Sequence, residues 1–329
     1  MCLLRSLAPA VSIAVLALTG CMTKPVAEPE PLTPVVMQLD WIYNAQFAGI
    51  FQAMEQGYFA DAGIELEVRG GPTTDDVVRA TLEEPKISFG SSESNVLIAE
   101  AAEGKDLKML GTMFQFSPMG WMYLGGGDIN EFTDLADKNV GVHVDGWRVI
   151  KLLLQKQGAD ISNLNTFECG YSPSVVIDGE ADAMQCYYID EYVRFQQLEG
   201  DRAKVFLAKD FGYEAYSQVV FTASDTIAEH PEVVASFMKA LKMGWAYAFE
   251  NPEATVDMLI AKYNPELERD YQLRSLAKIE DLMVPEPGAL FRPIKPEVLQ
   301  ASVDYLIGYD LISKSVDVDS LLAQSFLPE

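Results

Sequence analysis

A strand, a helix and a second strand follow in immediate succession between Val35 and Gly71, and this succession limits the chain to folds built on a parallel sheet. Val35 to Leu39 is an apolar run of strand length that ends on a polar and aromatic cluster, Asp40, Trp41, Tyr43 and Asn44. Phe47, Ile50, Phe51 and Met54 then recur at i, i+3, i+4 and i+7, with Asn44 as the N-cap and Gly57 as the stop. Ile64, Leu66 and Val68 alternate with Glu65 and Glu67 before Gly70-Gly71 closes the run. Ligands of open α/β sheets sit beyond the carboxyl ends of the strands. Asp40 to Asn44 occupies such an end.

The same reading finds further strand ends downstream. Lys86 to Gly90 is a strand that runs into Ser91, Ser92, Glu93, Ser94 and Asn95, and these open the apolar helix Val96 to Ala102. Hydroxyls and free backbone N–H groups at a helix start make a polar edge, so each serine is either a cap or a ligand contact. Leu107–Phe114 and Met119–Leu124 are strands, and Gly125-Gly126-Gly127 is a turn. Val140–Val144 leads through Asp145-Gly146-Trp147 into a helix carrying Val149, Leu152, Leu153 and Leu154, while Thr166–Gly170 leads into Tyr171-Ser172-Pro173-Ser174. Gly179-Glu180-Ala181-Asp182-Ala183 precedes a short strand from Met184 that runs into Tyr187, Tyr188, Asp190 and Glu191, of which Tyr188 and Glu191 fit a solvated helix start. Val219–Ala223 is a return strand, and the rest is largely helical. In Pro231–Phe249, Val234, Phe237, Met238, Leu241, Trp245 and Ala248 share one face, which makes Trp245 a core residue.

The totals narrow the function. A chain of 329 residues with 49% apolar residues is long enough for two lobes. Its net charge of −25 argues against nucleic acid and anionic membrane surfaces, which select basic patches. The two histidines, His143 and His230, lack the i+4 partner of a zinc site, and no P-loop, GxGxxG or GxSxG is present. Neither a metal nor a cofactor is called for.

At the N-terminus, Arg5 precedes the short apolar run Leu7–Leu18, as in a signal peptide, and Leu18-Thr19-Gly20-Cys21 resembles the bacterial lipobox, in which the cysteine becomes the lipidated first residue. Met22 to Pro34 carries Pro25, Pro29, Pro31 and Pro34 and reads as an extended tether. With Cys2 removed and Cys21 lipidated, Cys169 and Cys186 remain, either as a disulfide or as two separate thiols.

Asp40-Trp41, Asn44, Ala48-Gly49, Gly57-Tyr58-Phe59 and Gly63 resemble the opening of the thiamine-pyrimidine and sulfonate-type substrate-binding proteins. Many of those carry a histidine where this chain has Phe47. The run Ile129 to Val142, with Asp134-Leu135, Lys138 and Val140-Gly141-Val142, resembles the entry to the second lobe of type II periplasmic binding proteins. The resemblance implies two α/β lobes joined by two crossing segments, with residues 35–118 and 224–329 in lobe one and 119–223, crossing strands included, in lobe two. The resemblance also implies that the turn Gly179-Glu180-Ala181-Asp182-Ala183 and the strand after it present Tyr187, Tyr188, Asp190 and Glu191 to a ligand. It further implies a monomeric, lipid-anchored subunit of an ABC importer, in the periplasm or at the cell surface of a bacterium, served by separate permease and ATPase subunits.

The expected solute is a small heteroaromatic, first an aminopyrimidine thiamine precursor and next a flavin or sulfonate-type ligand. The strand ends carry Asp40, Glu93, Asp145, Asp190 and Glu191 against Arg148 alone, which disfavours an anion, and they carry aromatic faces for stacking. Trp41 is the expected stacking wall, and Glu93, Asp190 or Glu191 the acceptor. Asn44, Ser91, Ser92, Tyr43, Trp147, Tyr171, Tyr187 and Tyr188 complete the expected contacts. An enzyme of the same fold is the rival, a pyridoxal-phosphate-dependent thiamine pyrimidine synthase, which uses a histidine and a cysteine-rich motif. Phe47 and Ser91-Ser92-Glu93-Ser94 depart from both.

Overall fold

The computed structural model describes residues 31–70, 76–143, 146–284 and 290–328. Ten strands among these form two five-stranded sheets. In chain order they are β1 (Thr33–Gln38), β2 (Ile64–Arg69), β3 (Ile87–Ser92), β4 (Leu107–Phe114), β5 (Met119–Leu124), β6 (Asn139–Val142), β7 (Asn165–Glu168), β8 (Ala183–Tyr187), β9 (Ala203–Leu207) and β10 (Ser217–Ala223). Lobe one has the order β2-β1-β3-β10-β4 and lobe two the order β7-β6-β8-β5-β9. β1 pairs in parallel with β2 and β3, and β6 with β7 and β8. Each sheet also holds one antiparallel strand next to a crossing: β10 between β3 and β4, and β5 between β8 and β9.

Burial follows from this pairing. Val35 to Gln38 are all buried because helices cover both faces of a parallel sheet. Consecutive residues of β5 feed opposite cores: Trp121 packs with Phe132 and Leu135, and Met122 with Val176 and Phe195. In lobe one the helices Ala48–Glu55 and Pro231–Glu250 cross closely, with Trp245 fully buried as its helical spacing predicts and its Nε1 3.1 Å from the Met113 sulfur.

The crossings lie elsewhere than the sequence suggests. Met119–Leu124 belongs entirely to the sheet of lobe two, and Ser217–Ala223 entirely to that of lobe one, so the assignment of 119–223 to lobe two is corrected. Both strands are paired along both edges, which leaves them no freedom to span a gap. The links are residues 115–118, between β4 and β5, and residues 212–216, before β10. The edge strand β9 has no counterpart in the sequence reading; its mixed Ala-Lys-Val-Phe-Leu pattern gives little signal. Cys169 and Cys186 are two free thiols, which settles the alternative left open above. No described helix is long and apolar enough to cross a membrane.

The core of lobe one is tightly packed at the contact between those two helices. A Cβ on Gly244 would stand 2.0 Å from the Gly49 carbonyl oxygen, and one on Gly49 2.2 Å from Trp245 Cγ. Gly244→Ala must push the helices apart and is expected to lower stability by about 1–3 kcal/mol in urea melts. An unchanged midpoint would show that this crossing tolerates a methyl group.

Candidate functional site

Between the two sheets, at the carboxyl ends of β1, β3, β6, β7 and β8, lies a cavity of about 310 Å³. Lobe one contributes Asp40, Trp41, Gln46 and Glu93, and lobe two His143, Tyr171, Gln185, Tyr187, Asp190 and Glu191. Another hollow, of about 350 Å³, lies near the 212–216 link and is walled by Leu152, Tyr213, Tyr305 and Tyr309. Its polar side chains include Glu214, Asp304 and Lys156, but it lies away from the strand ends, where polar and aromatic groups of both lobes converge, so the chemistry points to the strand-end cavity.

Each carboxylate there is held differently. Gln218 Nε2 donates to both oxygens of Asp40, at 3.0 and 2.9 Å, and Gln218 Oε1 accepts from the Ser91 hydroxyl. Glu93 Oε1 accepts from the Ser217 hydroxyl and from Tyr187 OH at 3.4 Å. Across the cleft, the Tyr187 backbone N–H donates to Glu191 Oε2 at 2.6 Å, and Tyr271 OH donates to Asp190 Oδ1.

Desolvation governs the electrostatics. Loss of water raises Asp40 to about 6 against the pull of its Gln218 hydrogen bond, and raises Glu93 to about 8 with the nearby Asp40 charge adding to the effect. Glu191 is raised to about 7 by burial and by its neighbour Asp190, itself raised by burial. Burial lowers His143 to about 4, so the imidazole is neutral at physiological pH, and its buried Nε2 has no partner among the described residues. The aromatic wall spans both lobes: Trp41 and Tyr171 meet edge to face at 6.0 Å, and Tyr171 lies 4.5 Å from the His143 ring.

Of the expected contacts, Asp40, Trp41, Glu93, Tyr171, Tyr187, Asp190 and Glu191 line this cavity. Others do not. Tyr43 turns into the core of lobe one, its OH donating to the Val68 carbonyl at 2.9 Å and its ring 5.1 Å from Phe51. Asn44 caps the turn at Ala45–Phe47 by accepting from the Gln46 N–H. Ser91 stands one layer behind, on Gln218, and Ser92 is buried in β3. Trp147 packs beside the core of lobe two under Arg148 and Lys151, and Tyr188 stacks on Tyr192 with the Lys278 ammonium 3.8 Å above it. These side chains alternate with their neighbours, so a cluster at a strand end cannot all face one way. Asp145 lies outside the described residues, as does Cys21.

Gln46, His143, Gln185 and Gln218 were missed. Gln185 stands two residues before Tyr187 on the same face of β8, a period that would have found it. Its Oε1 accepts from the His143 N–H at 3.0 Å and fills the space where a Cβ on Gly146 would be. His143 directly follows β6 and, lacking the i+4 partner of a zinc site, gives no local sign of facing a cleft. Gln218 carries no local signal, because its partners are distant in the chain.

The family model described as NMT1/THI5 like matches residues 44–255, more than half of the chain. The chain belongs to the NMT1/THI5-like family. Among the curated members of known role, a formylaminopyrimidine-binding protein of Halalkalibacterium halodurans is 24% identical over 92% of this chain and 94% of its own length. A 4-amino-5-hydroxymethyl-2-methylpyrimidine phosphate synthase of Legionella pneumophila is 25% identical over 68% of this chain and 72% of its own. The crystal structure of the periplasmic aliphatic sulphonate binding protein SsuA from Escherichia coli superposes with a TM-score of 0.71 at 16% identity, covering 91% of this chain and 99% of that one. This family member therefore has the two-lobed periplasmic binding protein fold expected from its sequence.

The Gln218 amide is what satisfies Asp40. Gln218→Leu should destabilise the protein by about 1–3 kcal/mol at pH 8, where Asp40 is ionised and left without a donor, and by less at pH 5, where it is protonated. Urea melts at the two pH values check this; equal losses at both would place the effect in packing.

Proposed function

We propose that the chain is the solute-capturing subunit of an ABC importer and that its solute is a small aminoheterocycle, an aminopyrimidine thiamine precursor in particular. The observation that carries this is the lining of the cleft: Asp40, Glu93, Asp190 and Glu191 converge from two lobes beside Trp41, Tyr171 and Tyr187, with no Lys or Arg among the described lining residues. Sulfonate, sulfate and nitrate need cations or a dense set of N–H donors. A planar ring bearing amino groups instead uses the carboxylates as acceptors and the aromatic faces for stacking. The formylaminopyrimidine-binding relative, aligned over nearly its whole length, supports the same solute class.

In operation, Trp41 from lobe one and Tyr171 from lobe two, which touch edge to face at 6.0 Å, part to take the ring between them, Tyr171, 57% exposed, being the one open to solvent. Asp190 and Glu191 then receive N–H donors from the lobe-two side. Because the solute touches both lobes only when they close, its binding energy shifts the population to the closed form, which a permease reads. Permease and ATPase are separate subunits, and the captured solute passes between them and this monomer. Cys21, lipidated, tethers it to the membrane through residues 22–34.

A synthase reading meets a poor fit. A cleft without cations among its described lining does not suit a phosphate-bearing cofactor such as pyridoxal phosphate. Phe47, at the position where many relatives have a histidine, is fully buried in the core of lobe one rather than in the cleft.

Calorimetric titration with formylaminopyrimidine, hydroxymethylpyrimidine, riboflavin, taurine and nitrate tests the proposal. The aminopyrimidines are expected to bind, with affinity reduced several-fold in Trp41→Ala, as a lost stacking contact of about 1 kcal/mol implies. Tight binding of an anion, unchanged in Trp41→Ala, would overturn it. For the anchor, Cys21→Ser should release the protein from the membrane fraction or leave the signal uncleaved; a fatty-acid-labelled, membrane-bound product would refute the lipidation.

A further inference from the structure

Both protein donors to Glu93 reach the same atom. The Ser217 hydroxyl and Tyr187 OH donate to Oε1, whereas Oε2 receives no hydrogen bond from the described residues, although the side chain forms part of the cavity wall. Asp40, by contrast, has both oxygens on the Gln218 amide.

The groups around Glu93 supply no countercharge. From the end of β1 comes Asp40, from lobe two come Asp190, Glu191, Tyr187 and the neutral imidazole of His143, and from β10 the uncharged Ser217 and Gln218. On its own helix, Asn95 is engaged with Tyr213 OH at 2.9 Å. No Lys or Arg is among the described lining residues, and Arg194, the cation that acts on Asp190, is paired with Glu268. Two carboxylates that face one desolvated space without a cation cannot both stay ionised, and the one with the poorer donors keeps the proton. Gln218 gives Asp40 an amide fixed on both oxygens, so the proton falls to Glu93.

We infer that Glu93 works as a neutral carboxylic acid, its Oε1 the carbonyl oxygen fixed by Ser217 and Tyr187 and its Oε2–H a donor aimed at a ring nitrogen or carbonyl oxygen of the solute. This rests on the solute-binding reading above and sharpens it. The site takes a heterocycle that presents an unprotonated acceptor to lobe one and amino N–H donors to Asp190 and Glu191 of lobe two. Glu93 is then the residue that separates such rings from fully cationic amines, which offer no acceptor. The Glu93 pKa, raised by burial to about 8, agrees with this assignment. The sign follows: the donor is present below about pH 8 and lost above it, so affinity falls as pH rises through that value.

Two measurements test the inference. Carboxyl ¹³C NMR of glutamate-labelled protein without solute, with the Glu93 signal assigned through Glu93→Gln, should show a group still protonated at pH 7; a Glu93 signal already ionised at pH 6 overturns the inference whatever binds. Titration with hydroxymethylpyrimidine should show wild-type affinity falling about tenfold per pH unit above pH 8, as one linked proton requires. Glu93→Gln, whose amide N–H replaces the O–H, should stay within about threefold of wild type at pH 7 and lose that decline, as expected when the titrating proton is gone. A loss of more than about a hundredfold in Glu93→Gln would mean that an ionised acceptor is needed and would overturn the inference. If Glu93 proves neutral but no heterocycle binds the wild-type protein, the solute reading is what fails.

Discussion

The cleft depends on one amide. Gln218 sits on β10 with a positive φ of 53°, a conformation that costs a residue with a side chain about 1–2 kcal/mol. It is held there because its side chain ties the end of β1, through Asp40, to β3, through Ser91. Hydrogen bonds to a charged group contribute about 1.5–3 kcal/mol, enough to offset the strain. Gln218 also lies just past the 212–216 link. The residue that fixes Asp40 therefore stands where the chain re-enters lobe one, in a strand paired on both edges, so the acidic wall of that lobe is set within one sheet.

What holds the two lobes together is shallow by comparison. Arg194 with Glu268 and Gln197 with Asp270 join the Glu191–Glu199 helix of lobe two to the region of the Arg269–Met283 helix of lobe one, with both carboxylates exposed and Arg194 and Gln197 half-buried. Pairs of that kind contribute about 0–1 kcal/mol each. The better shielded contacts are Ser275 Oγ to the Ile189 carbonyl, at 2.6 Å, and Tyr271 OH to Asp190. Against them stands the mutual repulsion of carboxylates from opposite lobes. Partly exposed pairs and opposed charges at the cleft are the condition that the proposed solute-driven closure requires.

Much of this was legible in the sequence because strand and helix periods are local. The succession from Val35 to Gly71 gives β1, the following helix and β2, and the strand-end rule reaches Asp40, Trp41, Glu93, Tyr171, Tyr187, Asp190 and Glu191, all on the cavity wall. The same rule overreached at Tyr43, Trp147 and Tyr188, since a polar or aromatic cluster holds residues of both facings and only the pleat and the helix phase decide between them. The lobe boundary was misplaced because a strand next to a crossing looks, in sequence, like the crossing itself. Gln218 was out of reach altogether: its partner Asp40 is separated from it by 178 positions, and nothing local to β10 announces a buried amide.

The architecture by itself says little about the charge of the solute. Helix starts and strand ends present N–H groups at the mouth of any such cleft, and that backbone field favours anions. Here the side chains reverse it. Asp40, Glu93, Asp190 and Glu191 stand where those N–H groups would otherwise dominate, and one of them, Glu191, uses the Tyr187 N–H for itself. A phosphate or sulfonate entering this space would meet carboxylates and find the Tyr187 and His143 N–H groups already taken, by Glu191 and Gln185. A ring with amino groups meets acceptors, and in the proposed closure loss of water would strengthen those contacts together. Discrimination by charge is thus carried by a few side chains at strand ends, while the fold supplies only the two surfaces that bring them face to face.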